Sequence, residues 1–351
     1  MLSFGKKKIF ALDIGSYSIK LIELNSSKKG YQLANMASVP LPPEAIVDGA
    51  LMDTGAIVDA IRNLISSAGV KGGDVAVSVS GHSVIIKKIS LPAMTENELA
   101  DSIQWEAEQY IPFDIADVNL DFQILGPNAV DQTQIDVLLV AAKKEIIDDY
   151  TAVIAEAGLN AVVIDIDAFA AQNMVEINYP AEEGEVVATV NVGAELSNIN
   201  IVKDGVSLFT RDVANGGNQF TEEIQKRFGV SYENADAAKL GGEVEGVDAD
   251  EVKEVLQEVS GLLSSEIART IDFFMATNPE DSVRKAYICG GGAKTEGLDK
   301  SLADKLGVPV EVVNPFSAIS YNEKNFDPEY LDDVAPSFGV AVGLAIRREG
   351  D

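Results

Sequence analysis

The sequence predicts an α/β fold built from two related lobes, on two observations. Apolar, strand-like runs alternate with helical patterns along the chain, the arrangement of sheets covered by helices. A single device, a strand broken by a glycine turn and resumed at once, also occurs in each half: IFALDIGSYSIKLIEL at 9–24 and VVATVNVGAELSNINIVKDG at 186–205. Aligned on glycine, Asn191-Val192-Gly193-Ala194 lies over Asp13-Ile14-Gly15-Ser16, and 199–202 lies over 19–22 with a slightly longer loop.

The elements follow in order. Residues 9–14 and 19–24 read as two strands, and Val39-Pro40-Leu41-Pro42-Pro43 closes them with a turn-rich stretch. In 54–68, Ile57, Ile61, Leu64, Ile65 and Ala68 fall at helical spacing, with Gly69 at the C-terminal cap. DVAVSVSG is a strand. From Thr95 to Ile111 a helix is expected: Thr95 and Glu98 make a capping box, Leu99, Ile103, Ala107 and Tyr110 share a face, and Pro112 enforces the stop. QIDVLLVAA (134–142) is a buried strand, KKEIIDDYTAVIAEAG a helix ending at Gly158, and AVVIDID (161–167) a strand. After the second glycine device come Gly216-Gly217 before a helical pattern, then a glycine-rich acidic stretch at 241–251 read as an exposed loop. A long helix spans about 250–275, AYICGGGAKTEGLDKSLADKLGVPVEVV gives strand, triple glycine, helix and strand, and FGVAVGLAIRR a last helix with small residues along one side.

Composition narrows the function classes. The 351 residues are 46% hydrophobic, enough for a large core and more than one domain. With 27 basic against 56 acidic residues the formal charge is −29, which opposes a sequence-independent hold on nucleic acid or direct docking on anionic lipid. One cysteine, Cys289, makes no intrachain disulfide, and MLSFGKKK runs into a strand rather than a signal peptide. No apolar run approaches the roughly 18–20 residues that cross a bilayer. A cytoplasmic protein is expected, reaching a membrane only through a partner.

The glycine loops carry the chemistry. A strand that breaks at glycine exposes backbone N–H groups at the turn, and side chains no larger than Ser let an anion approach. In the first loop Ser16 and Ser18 can donate hydrogen bonds, Lys20 can supply positive charge, and Asp13 can hold hydrated Mg²⁺ through water. One such loop is equally an ordinary hairpin with a glycine bulge. Two of them, with Gly216-Gly217 before a helix and Gly290-Gly291-Gly292 after a strand, argue for a phosphate site.

The order DIGS, NVGA, GG before a helix, CGGGA and terminal FGVAVGLA resembles the actin/Hsp70/sugar-kinase superfamily, whose two related domains close on ATP. By that resemblance Asp13, Gly15, Ser16, Ser18 and Lys20 belong to the first phosphate loop. Asn191, Gly193 and Ala194 belong to the second, Gly216 and Gly217 follow it, and Gly290, Gly291 and Gly292 form the adenosine loop. Ala235-Asp236-Ala237-Ala238-Lys239 resembles the A-E-x-x-K stretch of the FtsA branch, which places Asp236 and Lys239 near ribose and adenine, with Asp in the place of Glu. Residues 89–125 closely resemble the signature of the PilM family of type IV pilus assembly proteins, as do 138–159, 163–173 and 210–224. The family implies an actin-like ATPase fold of FtsA type. Its subdomains are expected at 1–83 with 161–185, an inserted 84–160, 186–211 with 288–351, and 212–287. It further implies ATP with Mg²⁺, a docking site for the cytoplasmic tail of the membrane protein PilN, and contacts with other pilus platform proteins, motor ATPases or copies of itself.

One departure bears on catalysis. The superfamily usually has Asp where this chain has Asn191, and an amide keeps hydrogen bonding but cannot act as a base. Glu195 in the same loop is a weak substitute, since a loop glutamate is ordinarily solvated. ATP binding with slow or absent hydrolysis is expected. Among other residues, His82, the single histidine, is expected to be structural at a subdomain junction, and Cys289 a small core residue. Trp105 is either a partner anchor or ordinary packing. Tyr110-Ile111-Pro112-Phe113 is either local core or, by the family resemblance, part of the PilN site. Two alternatives stay open: a filament-forming protein of FtsA type, for which a C-terminal amphipathic helix would speak, and a small-molecule kinase, which needs the carboxylate base that Asn191 lacks.

Overall fold

The computed structural model describes residues 9–28, 30–128, 130–348 and 350; the N-terminal run MLSFGKKK and part of the terminal RREGD lie outside them. In chain order the first half contains β1 (Ile9–Ile14), β2 (Ser18–Ser27), β3 (Gly30–Pro40), β4 (Ile46–Val47), β5 (Ala50–Leu51), α1 (Thr54–Ser67), β6 (Gly73–Val79), β7 (Val84–Pro92) and α2 (Glu96–Glu108). It continues with β8 (Val118–Pro127), β9 (Gln134–Lys143), α3 (Lys144–Glu156), β10 (Leu159–Ile166) and α4 (Asp167–Asn178). The second half contains β11 (Val186–Val192), β12 (Ser197–Lys203), β13 (Val206–Val213), α5 (Asn218–Phe228), α6 (Tyr232–Lys239), α7 (Ala249–Thr277) and β14 (Lys285–Cys289). Then come α8 (Leu298–Leu306), β15 (Val310–Val312), β16 (Ile319–Ser320), α9 (Pro328–Val334) and α10 (Gly339–Ala345).

The duplication expected from the glycine loops extends to whole sheets. In lobe one, β3-β2-β1 is an antiparallel meander continued by parallel β6 and β10; in lobe two, β13-β12-β11 is the same meander continued by parallel β14 and β15. Strand β16, from late in the chain, adds to the free edge of β3 and so stitches the second half onto the first sheet. β3 itself was not legible as a strand. Its residues are mostly half-buried and mix Gln32, Asn35 and Ser38 with apolar positions, which blurs the alternation.

Helices α4 and α10 cross behind the two sheets and share one core with both. Ala11, Ile22 and Ala76 of lobe one, Val187, Val202 and Cys289 of lobe two, and Ala170, Met174 and Val340 of the crossing helices form a single buried cluster. Small residues make the crossing possible: a Cβ at Gly343 would run into the carbonyl of Ala170, and one at Gly339 would stand 3.0 Å from Cβ of Cys289. The small-residue stripe of the last helix is thus a packing surface between lobes. In lobe two, α7 buries Val255, Val259, Leu263, Ile267, Ile271 and Phe274 against β11, β12 and α5. Each such side chain contributes about 1.5–3 kcal/mol on burial.

The segment between β7 and β9 is a layer of its own. Strands β7-β9-β8 form a three-stranded antiparallel sheet, and α2 packs Leu99, Ile103 and Ala107 onto it with Ile111, Val118 and Val137. The capping box of Thr95 and Glu98 is formed in both directions, and the helix ends at Glu108, so Tyr110 and Ile111 lie in the turn beyond it. Helix α3, also within 84–160, packs Ile146, Tyr150, Val153 and Ile154 into the core of lobe one instead.

Candidate functional site

The two glycine turns face each other across a cavity of about 940 Å³ between the lobes. Asp13, Gly15, Ser16, Ser18 and Lys20 line it from lobe one, and Asn191, Gly193, Ala194 and Glu195 from lobe two. Gly217, Asp236, Lys239, Gly290, Gly291 and Gly292 complete the wall. Gly216 does not line it. A Cβ there would stand 2.6 Å from the Gly193 carbonyl, and the N–H groups of Gly217 and Asn218 donate to the carbonyls of Gly193 and Ala194 at 2.8 Å each. Gly216 therefore lets α5 close onto the second loop. Gly290, at φ +89°, turns the chain so that its own loop touches the backbone of Val192.

The two ends of the cavity differ in chemistry. At one end lie hydroxyls, turn N–H groups and the Lys20–Asp13 pair, joined by a hydrogen bond of 3.1 Å with both side chains largely buried. At the other, Leu240, Val244, Val247, Val252 and Leu256 line the wall. The stretch 241–251, expected to be an exposed loop, turns Val244 and Val247 inward because their partly buried side chains also pack on the lobe-two core. A donor-lined end and an apolar end fit a molecule with phosphates on one side and a flat apolar base on the other. The donor set also fits a hydrated Mg²⁺, which needs few carboxylates. Among the described residues no group of three His, Cys, Asp or Glu forms a direct metal cage.

Several residues of this site were not singled out in the sequence. Asp167, at the start of α4, lines the cavity floor and accepts a hydrogen bond of 2.6 Å from the Ser78 hydroxyl. Burial, reinforced by the Asp13 charge, raises its pKa to about 6 despite hydrogen bonds from Ser78 and Ser80. The signal was a carboxylate inside the apolar run VIDIDAFA, read as a strand end. Tyr17, in the first loop, donates from its hydroxyl to Asp236 of α6 at 2.8 Å; burial and then this bond push its pKa up to about 12. Lys239 holds the other oxygen of Asp236 at 2.6 Å and donates to the Thr221 hydroxyl at 2.8 Å.

Glu195, considered as a substitute for the missing Asp, lines the cavity with one carboxylate oxygen engaged by lobe one. Its carboxylate accepts from the Asp48 backbone N–H at 3.0 Å, and burial, with the charges of Asp48 and Glu44, raises its pKa. It is a contact between lobes. Cys289 is fully buried, as expected for a core residue, and burial raises its pKa to about 12. His82 stands at the turn before β7 with its ring exposed, 3.6 Å from the Asp48 carboxylate.

On the inserted layer, the aromatic cluster after α2 is split. Ile111 is buried in the local core, Tyr110 and Phe113 are half-buried against it, and Pro112 is exposed. Trp105 on α2 is 79% exposed, so ordinary packing does not account for it. Three lysines buttress the segment: Lys87 and Lys144 donate to the carbonyls of Tyr110 and Ala116 at 3.3 and 2.6 Å, and Lys143 stands 4.5 Å over the Phe113 ring.

Two matched sheets closing on a cleft lined by glycine turns, with a crossing helix pair behind, define a protein of actin-like fold. Comparison bears this out: the solved structure of MreB 5 of Spiroplasma citri bound to AMPPNP matches at TM-score 0.52 and 13% identity, over 96% of this chain and 94% of that one. The ethanolamine utilization protein EutJ from Carboxydothermus hydrogenoformans matches at TM-score 0.57 and 15% identity, over 97% and 89%. These likenesses concern the fold alone. The family described as type IV pilus assembly protein PilM matches residues 11–349. A PilM-PilN type IV pilus biogenesis complex matches at TM-score 0.86 and 31% identity, over 97% of this chain and 98% of that one. The chain belongs to the PilM family of type IV pilus assembly proteins, and its fold is actin-like.

Proposed function

We propose that the chain is an ATP-binding, cytoplasmic component of the type IV pilus platform that holds the cytoplasmic tail of a PilN-type membrane protein, with lobe geometry set by nucleotide. The observation that carries the nucleotide reading is the cavity itself, polar between the two glycine turns and apolar at α7. Ser16, Ser18 and the turn N–H groups would bind phosphate oxygens. Lys20 would offset their charge, and Asp13 would orient a water of Mg²⁺, whose bound form supplies charge neutralisation. Asp236 and Lys239 would meet the sugar. A ligand touching both lobes favours the closed arrangement only by binding it better than the open one.

Hydrolysis is slow or absent in this account. Asn191 carries no charge, Glu195 is engaged with Asp48, and Asp167 is the remaining cleft carboxylate with a raised pKa. The partner reading rests on two supports. Exposed Trp105 and Pro112 and half-buried Tyr110 and Phe113, seated over buried Ile111, offer apolar surface on the layer that resembles the PilM signature, and the matched PilM relative was solved in complex with PilN. Among the described residues no helix is long and apolar enough to cross a membrane, consistent with recruitment through a partner. Titration of ATP with Mg²⁺ and of a synthetic PilN-type tail, separately and together, tests the proposal. Saturable binding of both is expected, and binding of neither removes it.

A further inference from the structure

Asn191, Asn198 and Asp212 lie side by side across three strands. Asn191 pairs with Asn198 in the β11–β12 ladder and Asn198 with Asp212 in the β12–β13 ladder, so their side chains share one face of the sheet. The two asparagines are buried, at 8% and 3% exposure. Asn191 Nδ2 donates to Asn198 Oδ1 at 2.9 Å, and Asn198 Nδ2 donates to Asp212 Oδ1 at 2.9 Å. The other oxygen of Asp212 accepts the Gly81 backbone N–H of lobe one at 2.8 Å.

We propose that Asp212 is a positioning residue: it fixes which atom of Asn191 faces the adenosine loop and ties that choice to the position of lobe one at Gly81. An ionised carboxylate only accepts hydrogen bonds, whereas an amide can be turned either way. Because Asp212 only accepts, Asn198 must turn its Nδ2 toward it and is left with Oδ1 for Asn191. Asn191 must then spend its Nδ2 on Asn198. Its Oδ1 then accepts from the buried Cys289 thiol at 3.7 Å and lies beside Gly290, where a Cβ would stand only 2.7 Å from it. Asn191 lines the cavity, and the second lone pair of its Oδ1 can accept from a donor such as metal-bound water. Asp212 itself does not line the cavity, so it acts through Asn191. Its second bond reaches the turn leading into β7, the first strand of the inserted layer, which makes the carboxylate a shared acceptor of both lobes.

Exchange of the charge between the two ends of the row tests this. In Asn191→Asp two carboxylates compete for the single Nδ2 of Asn198, and one of them faces a carbonyl oxygen. The thermal midpoint of the ligand-free protein should fall, because one polar group of the row is left unsatisfied beside the buried Asn198. In Asp212→Asn the whole row can reverse, so the midpoint should hold while residue 191 shows Nδ2 to the floor. Mg²⁺ should then strengthen binding of a fluorescent ATP analogue less than in the parent. The double variant Asn191→Asp/Asp212→Asn satisfies every group again and should recover the parent midpoint. Additive losses in the double variant, or an unchanged Mg²⁺ dependence in Asp212→Asn, would overturn the proposal. Its ligand readout rests on the nucleotide reading. Should the parent bind no nucleotide, that reading fails, while the ligand-free midpoints still decide the role of Asp212.

Discussion

The hydroxyl of Tyr17 and the carboxylate of Asp236, 219 residues apart in sequence, meet across the mouth of the cleft at 2.8 Å. One belongs to the first glycine turn and the other to α6, so the bond joins the two walls of the cleft. Two further acids bridge the lobes: Glu195 holds the Asp48 N–H and Asp212 the Gly81 N–H. Single hydrogen bonds to carboxylates thus join the lobes across the cleft, while apolar packing and amide hydrogen bonds at α4, with the pairing of β16 on β3, join them behind it.

Tyr17→Phe keeps the ring and removes the bond. A hydrogen bond to a charged group contributes about 1.5–3 kcal/mol when shielded, and less here because Tyr17 is 41% exposed. Release of a bound fluorescent nucleotide should accelerate about fivefold, the equivalent of roughly 1 kcal/mol. An unchanged rate in stopped-flow chase experiments would show that the bond does not hold the cleft closed.

Gly15→Val should abolish ATP binding with little loss of secondary structure. The added side chain meets the Ser18 carbonyl at 3.3 Å and the Lys20 ammonium and Asp13 carboxylate at 3.7 Å, so it pushes into the group that would receive phosphate. Parent-like affinity in this variant would remove the first turn from the site.

Asp167 gives a pH dependence whose sign follows from its raised pKa. The carboxyl titrates near 4 when unfolded and at about 6 in the fold, so between these values the native state binds the extra proton. Its contribution is full below pH about 4 and is lost as pH rises through about 6, a swing of roughly 2–3 kcal/mol. Asp167→Asn should therefore raise the thermal midpoint at pH 8 and flatten its slope between pH 4 and 6. A steeper slope in the variant would contradict the burial of a neutral acid.

Much of this site was legible because glycine leaves a local signature: Asp13-Ile14-Gly15-Ser16 and Asn191-Val192-Gly193-Ala194 announce a broken strand from four residues each. What the sequence hid is what depends on distant partners. Tyr17 is an unremarked aromatic until Asp236 arrives from the other lobe, and Asp212 gains its meaning only from the register that sets it two strands from Asn191. The loop at 241–251 looked solvated because its acids outnumber its valines, yet the fold needs only Val244 and Val247 to form a wall. Trp105, conversely, fitted packing and anchoring equally well in the sequence, and its 79% exposure sets it outside the core.

ATP turnover should be far below the roughly 1–100 per second of kinases. A carboxylate at position 191 should raise it, and the row of Asn198 and Asp212 specifies how: Asn191→Asp/Asp212→Asn should exceed both the parent and Asn191→Asp alone. Phosphate release measured on the three proteins checks the order. Kinase-like turnover by the parent would contradict the reading of Asn191.

The central claim is that one chain holds nucleotide between its lobes and a membrane partner's tail on its inserted layer. Parallel titrations of Mg²⁺-ATP and of a PilN-type tail peptide against the parent, Tyr110→Ala, Phe113→Ala and Lys20→Ala test it most directly, with circular dichroism confirming that each is folded. The account predicts that Tyr110→Ala and Phe113→Ala weaken the tail about tenfold or more, as loss of a buried anchor does, and leave ATP unchanged, while Lys20→Ala does the reverse. Tail binding that survives both aromatic substitutions and is lost on changes in lobe two would contradict it.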